Sequence, residues 1–173
     1  MTTGQTLLSI AAFILLTTIL KGVYSSLDRT GQDISGGQDG ILATTIATSY
    51  IEFANGLAFD QVTDTSDVAL TSPLALTYPP GPEPGETTMD TFNDFDDLNG
   101  YSDEKTAGGS DRRYMTTFAV SYVDTNDLSK SVSYRTYLKR LDMRTWRTFP
   151  PPGSDEIIDT LKTSIVMGYF HFF

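Results

Sequence analysis

The sequence predicts an α+β domain: a long N-terminal helix, apolar in its first half and amphipathic in its second, packed on a C-terminal antiparallel β-sheet of three or four strands. Three observations carry that prediction. Twenty uncharged residues precede the first charge, Lys21. Apolar residues then recur at three- and four-residue spacing as far as Leu57. From Arg112 onward the apolar period becomes two.

The first element is the opening stretch, MTTGQTLLSIAAFILLTTILKG. Leu7, Leu8, Ile10, Phe13, Ile14, Leu15, Leu16, Ile19 and Leu20 make residues 7–20 apolar on every side. A secretory signal would carry a basic start and a small-residue cleavage site. Residues 1–5 contain no Lys or Arg, and nothing like Ala-x-Ala follows Leu20. A spanning helix wants roughly 20 apolar residues; residues 7–20 fall short, but Lys21 can snorkel and let residues 23–27 extend the run. Residues 1–27 are thus expected to be covered by membrane or by other copies of the chain.

Residues 28–40 include RTGQDISGGQDG, whose Gly31, Gly36, Gly37 and Gly40 each cost ~1 kcal/mol in a helix interior. A loosened or broken stretch is expected there. Residues 41–58 resume the helix, with Leu42, Ile46, Tyr50, Phe53, Ala54 and Leu57 forming one apolar stripe. Unbroken, residues 1–58 would make a rod ~85 Å long at ~1.5 Å per residue. No domain of this size buries such a rod along its length.

Residues 59–173 form the expected globular head. Residues 61–111 are rich in Thr, Asp, Pro and Gly, and TYPPGPEPGETT excludes both helix and central strand, so this part reads as an acidic, Pro-rich loop. The sheet is expected within residues 112–173. In RRYMTTFAVSYVD, Tyr114, Thr116, Phe118, Val120 and Tyr122 share one face. SVSYRTYLKRLDMRTW alternates less cleanly, with Val132, Tyr134, Thr136, Leu138 and Arg140 placed on one face. DTLKTSIVMGYFHFF supplies a terminal strand, where Tyr169, Phe170, Phe172 and Phe173 read as core and edge packing. TNDLSK and FPPPGSDE supply the turns.

Composition narrows the function classes. A formal charge of −10 and a pI near 4.3 argue against nucleic acid as a partner. Without cysteine there is no disulfide framework and no thiolate metal site. The single histidine, His171, reads as a packing residue, and no second imidazole completes a nucleophilic triad. Gly36-Gly37 lacks phosphate-loop spacing. No enzyme is expected. Twelve acidic residues and one basic residue fall between Asp60 and Asp111, and eight basic residues between Arg112 and Arg147. This split reads as solvated faces, or as an acidic loop of one subunit meeting a basic strand face of the next. One cofactor candidate remains: in NDFDDLNGYSDE, Asp94, Asp96, Asp97 and Asn99 offer hard oxygen ligands for calcium. The spacing fails the EF-hand pattern, and the plainer reading is an Asx-rich turn anchored by Phe92, Phe95, Leu98 and Tyr101.

A long N-terminal helix, a variable loop and an antiparallel sheet together resemble a type IV pilin or pseudopilin. Mature pilins start with an apolar residue, usually followed by Thr, then a glutamate shortly before the apolar run. Met1 and Thr2 match, while Gln5 stands where the glutamate would be. Met1 is taken as the processed terminus; cleavage after Gly4, leaving Gln5 first, is the other alignment. FNDFDDLNGYS is similar to the Asp-Asp turn that precedes the first long strand of many pilin-like proteins. The resemblance implies a structural subunit of an extracellular type IV pilus-like filament used for adhesion, motility or surface attachment. Its partners would be copies of itself, the cytoplasmic membrane before assembly, and the pilus assembly machinery. A secretion-system pseudopilin and a single-span anchor carrying an exterior binding domain are the alternatives.

Overall fold

The computed structural model describes residues 3–64, 70–109, 111–151 and 160–170. By its internal contacts the chain divides into two units, Met1–Asp39 and Gly40–Phe173.

The first unit is helical. Helix α1 runs Thr3–Asn55, so its backbone continues through the glycine-rich stretch and into the second unit. The break expected at Gly31, Gly36, Gly37 and Gly40 is therefore absent. None of the four adopts a positive φ, and a Cβ at any of them would meet nothing within 4 Å. Glycine lowers helix propensity without forbidding the conformation, and residues 28–40 contain no proline to force a break.

In the second unit the helix meets the sheet through one stripe. Ala43, Ile46, Ala47, Tyr50 and Ala54 are buried, and Leu42, Phe53 and Leu57 pack half-buried beside them. The expected stripe is present, its centre shifted onto the alanine edge. Small residues there let the backbone come close while Tyr50 fills the space over Phe118, ring centroids 5.0 Å apart and edge to face.

Beyond α1 come a short helix α2 (Gln61–Asp64) and 3-10 turns at Pro73–Ala75, Met89–Thr91 and Phe95–Leu98. Strands β1 (Ser102–Thr106), β2 (Arg113–Tyr122), β3 (Leu138–Phe149) and β4 (Leu161–Gly168) follow. They form a four-stranded antiparallel sheet in the order β1-β2-β3-β4. The architecture is α+β as expected, with two corrections in detail.

First, the loop assigned to residues 61–111 contains β1. SDEKT has no apolar alternation to betray it, because as an edge strand it is held by backbone pairing to β2, Ser102 opposite Thr117 and Thr106 opposite Arg113. Second, the buried face of β3 is the odd-numbered one. Lys139, Leu141, Met143, Thr145 and Arg147 face the core, whereas Leu138 and Arg140 lie half-buried on the other side. Register sets this choice: Leu141 opposes Val120 and Met143 opposes Phe118, both on the buried face of β2. Val132, Tyr134 and Thr136 precede the strand. The face expected for β2, Tyr114 to Tyr122 by twos, is buried throughout. His171, Phe172 and Phe173 lie outside the described residues.

Candidate functional site

Two regions carry chemistry. One is the first half of α1. Leu7, Leu8, Ile10, Phe13, Ile14, Leu15, Leu16, Ile19 and Leu20 are between 47% and 75% exposed, so nothing among the described residues covers them. Water makes this costly, at about 25 cal/mol per Å² of exposed apolar surface. The polar groups of the same segment are already satisfied. Ser9 Oγ donates to the Gln5 carbonyl at 3.0 Å, Thr17 Oγ1 to Phe13 and Thr18 Oγ1 to Ile14, both at 2.8 Å. Bonded back four residues, these hydroxyls demand no water. The helix is long and apolar enough to cross a membrane. Met1, expected as the processed terminus, lies outside the described residues; Gln5 sits inside α1.

The other region is the acidic turn between α1 and β1. Its anchors are placed as the sequence suggested: Phe92, Phe95 and Leu98 are buried in the core, and Tyr101 packs against Phe92 and Phe118. Burying these side chains drags the intervening carboxylates inside. Asp60, Asp94, Asp96 and Asp97 are all 0% exposed, which demands compensation.

Lys139 supplies part of it, and sequence reasoning missed this residue. Strand parity carries it inward with Leu141 and Met143. Its ammonium donates to the Phe59 carbonyl at 2.8 Å, to Asp60 Oδ2 at 2.8 Å, and to Asp96 Oδ1, with the Phe59 ring centroid 4.7 Å away. One buried cation thus joins the link between α1 and α2, the acidic turn and β3. Asp60 is further held by the Thr77 amide at 3.0 Å, and Asp96 Oδ2 accepts from the Gly81 amide at 3.3 Å.

Asp94 and Asp97 belong to the 3-10 turn's capping box. Asp94 Oδ1 accepts from the Asp96 amide at 2.9 Å. Asp97 Oδ2 accepts from the amides of Asn93 at 2.9 Å and Asp94 at 3.1 Å. Burial, then the neighbouring Asp96 charge, pushes the Asp94 carboxyl up to about 8. Burial likewise raises Asp97, against the lowering pull of its two backbone donors. Glu83, reaching in from the Pro-rich loop, is pushed up to about 7 by desolvation and by the adjacent Glu86.

Of the four ligands expected for calcium, Asp94 and Asp97 remain in a common cluster, joined by Glu83. Asp96 is committed to Lys139. Asn99 is a brace: its Nδ2 donates to the Pro80 carbonyl at 2.8 Å and its Oδ1 accepts from the Val120 amide at 2.9 Å. The basic run after Arg112 is likewise used largely inside the head. Besides Lys139, Arg113 pairs with Glu104 at 3.3 Å, Arg140 with Asp142 at 3.0 Å, and Arg135 Nε donates to the Leu76 carbonyl at 2.6 Å.

Comparison with protein-family models, with curated proteins and with solved structures finds no match for this chain.

Proposed function

We propose that the chain is the structural subunit of an extracellular, type IV pilus-like filament that polymerises through the first half of α1. The observation that carries this reading is an apolar helix, exposed on every side, whose hydroxyls are satisfied by its own backbone. Such a segment is stable in lipid and equally stable among copies of itself. Small and β-branched residues, Ser9, Ala11, Ala12, Thr17 and Thr18, break the Leu/Ile surface and let neighbouring helices approach closely. The cytoplasmic membrane holds the subunit before assembly; the assembly machinery then exchanges lipid for neighbouring helices. The head, with its net negative sequence, faces outward and supports adhesion, motility or surface attachment.

The test is a charge in the helix bundle. Leu15→Asp or Ile14→Lys buries an unpaired ion at a cost of several kcal/mol per subunit. Filaments sheared from cells and imaged by electron microscopy should vanish for either variant while the head remains folded. Normal filament yield would refute the reading, and a wild-type chain found only as a membrane-held monomer would favour the single-span anchor.

A further inference from the structure

Among the described residues Lys139 pairs directly with Asp60 and Asp96, while Asp94 feels its charge only at longer range. Asp94 and Asp97 each spend one oxygen on the backbone. Their second oxygens, Asp94 Oδ2 and Asp97 Oδ1, are buried without a hydrogen-bond partner, on residues that are 0% exposed. Glu83 Oε2 and Asn93 Oδ1 are in the same condition. Native proteins rarely leave buried acceptors unpaired, and four in one neighbourhood call for a specific cause.

Geometry supplies the cause. One carboxylate oxygen each from Glu83, Asp94 and Asp97 lie within 4.8 Å of one another. Oxygens around one calcium ion at ~2.4 Å are at most about 4.8 Å apart, whereas a magnesium shell at ~2.1 Å is tighter and keeps more water. Local hydrogen bonds tie the two segments that carry these oxygens to each other. Asn93 Nδ2 donates to Glu86 Oε1 at 3.1 Å, and the Glu83 amide to Glu86 Oε2 at 2.9 Å, so Glu86 clasps the loop to the turn. All donors are hard oxygens, the set that suits calcium, magnesium and manganese. Glu83 and Glu86 are only half-buried.

We propose that Glu83, Asp94 and Asp97 form a calcium site that fastens the Pro-rich loop to the acidic turn. The ion supplies the missing partners of the buried oxygens and balances carboxylate charge that Lys139 does not pair with directly. The two partly buried groups of the head's Pro-rich loop, Glu83 and Glu86, are then ordered by the ion, whereas Asp94 and Asp97 are already fixed by the capping box.

The test uses the full chain as a monomer in detergent micelles, stripped with chelator and titrated with calcium chloride, so it is independent of filament formation. Calorimetry should give one calcium per chain, and Tm should rise by at least about 5 °C at a hundredfold excess over Kd. Glu83→Gln keeps the fold and should weaken binding at least tenfold. Asp97→Asn should abolish the calcium-dependent rise in Tm. No heat and no change in Tm for the wild-type chain, unchanged affinity in Glu83→Gln, or an equal response to magnesium chloride would each overturn the assignment.

Discussion

Replacing Lys139 with methionine isolates the energetic centre of the head. The methionine matches the lysine stem in length and removes only the ammonium. That ammonium satisfies three acceptors, the Phe59 carbonyl, Asp60 and Asp96, and the lysine and both aspartates are 0% exposed. Removing one partner of a buried ion pair costs about 3–5 kcal/mol, because the remaining charge is stranded. Two carboxylates share this cation, which places the loss at the upper part of that range. For a chain of this length each kcal/mol moves Tm by ~2–4 °C, so Lys139→Met should lower Tm by roughly 8–16 °C. Thermal unfolding of the full chain in micelles, followed by circular dichroism, measures the Tm, and denaturant unfolding the free energy. The decisive control is the triple variant Lys139→Met, Asp60→Asn, Asp96→Asn. With no charge left to strand, it should recover at least half the loss. A loss below about 1 kcal/mol in the single variant, or no recovery in the triple, would refute the claim that buried charge balance governs this region.

Two further outcomes are expected. Gly36→Ala and Gly37→Ala enter open space in helical backbone, so each should stabilise that turn by ~1 kcal/mol and slow local amide exchange about fivefold; unchanged exchange would show that glycine does not limit helix stability there. Burial, reinforced by the Asp60 and Asp96 charges, pushes the Tyr122 hydroxyl well above its usual range, and it donates to the Thr77 carbonyl at 2.6 Å. A raised acid stays protonated in the fold while the unfolded chain ionises, so stability is fully present below about pH 10 and declines as pH rises further. A tyrosinate titration should find Tyr122 ionising only together with unfolding.

The legible parts of this chain are those where one local period decides the outcome. Strand β2 alternates because one of its faces is buried, and all five inward residues could be read directly. The helix stripe at Ile46, Tyr50 and Ala54 was legible for the same reason. Strand β1 was not, since SDEKT is fixed by backbone pairing with a strand that comes later. Lys139 was not legible because a buried lysine inverts the usual pattern, and its justification lies in Asp60 and Asp96, distant along the chain. In the acidic turn, Asp94 and Asp97 could be named from the density of Asx residues. Glu83 could not, because it joins them only when the Pro-rich loop folds back. The signal available was a pair of acids, Glu83 and Glu86, inside the otherwise uncharged stretch GPEPGE. The glycine-rich break failed for another reason: propensity sets a cost, and no proline or competing contact turned that cost into a break.

The order β1-β2-β3-β4 has a consequence for biosynthesis. The core face of α1, from Ala43 to Ala54, is made first, yet its partners Phe118, Leu141 and Met143 come last. At roughly 5–20 residues per second, the helix waits on the order of 5–20 s for the sheet that covers it. During that interval the nascent chain presents Ile46, Tyr50 and Leu57 unshielded beside the apolar residues ahead of them. A lipid surface that takes up residues 7–27 at once would keep the growing chain from aggregating until β3 emerges. Held in lipid this way, the apolar helix would act as the chain's own chaperone tether.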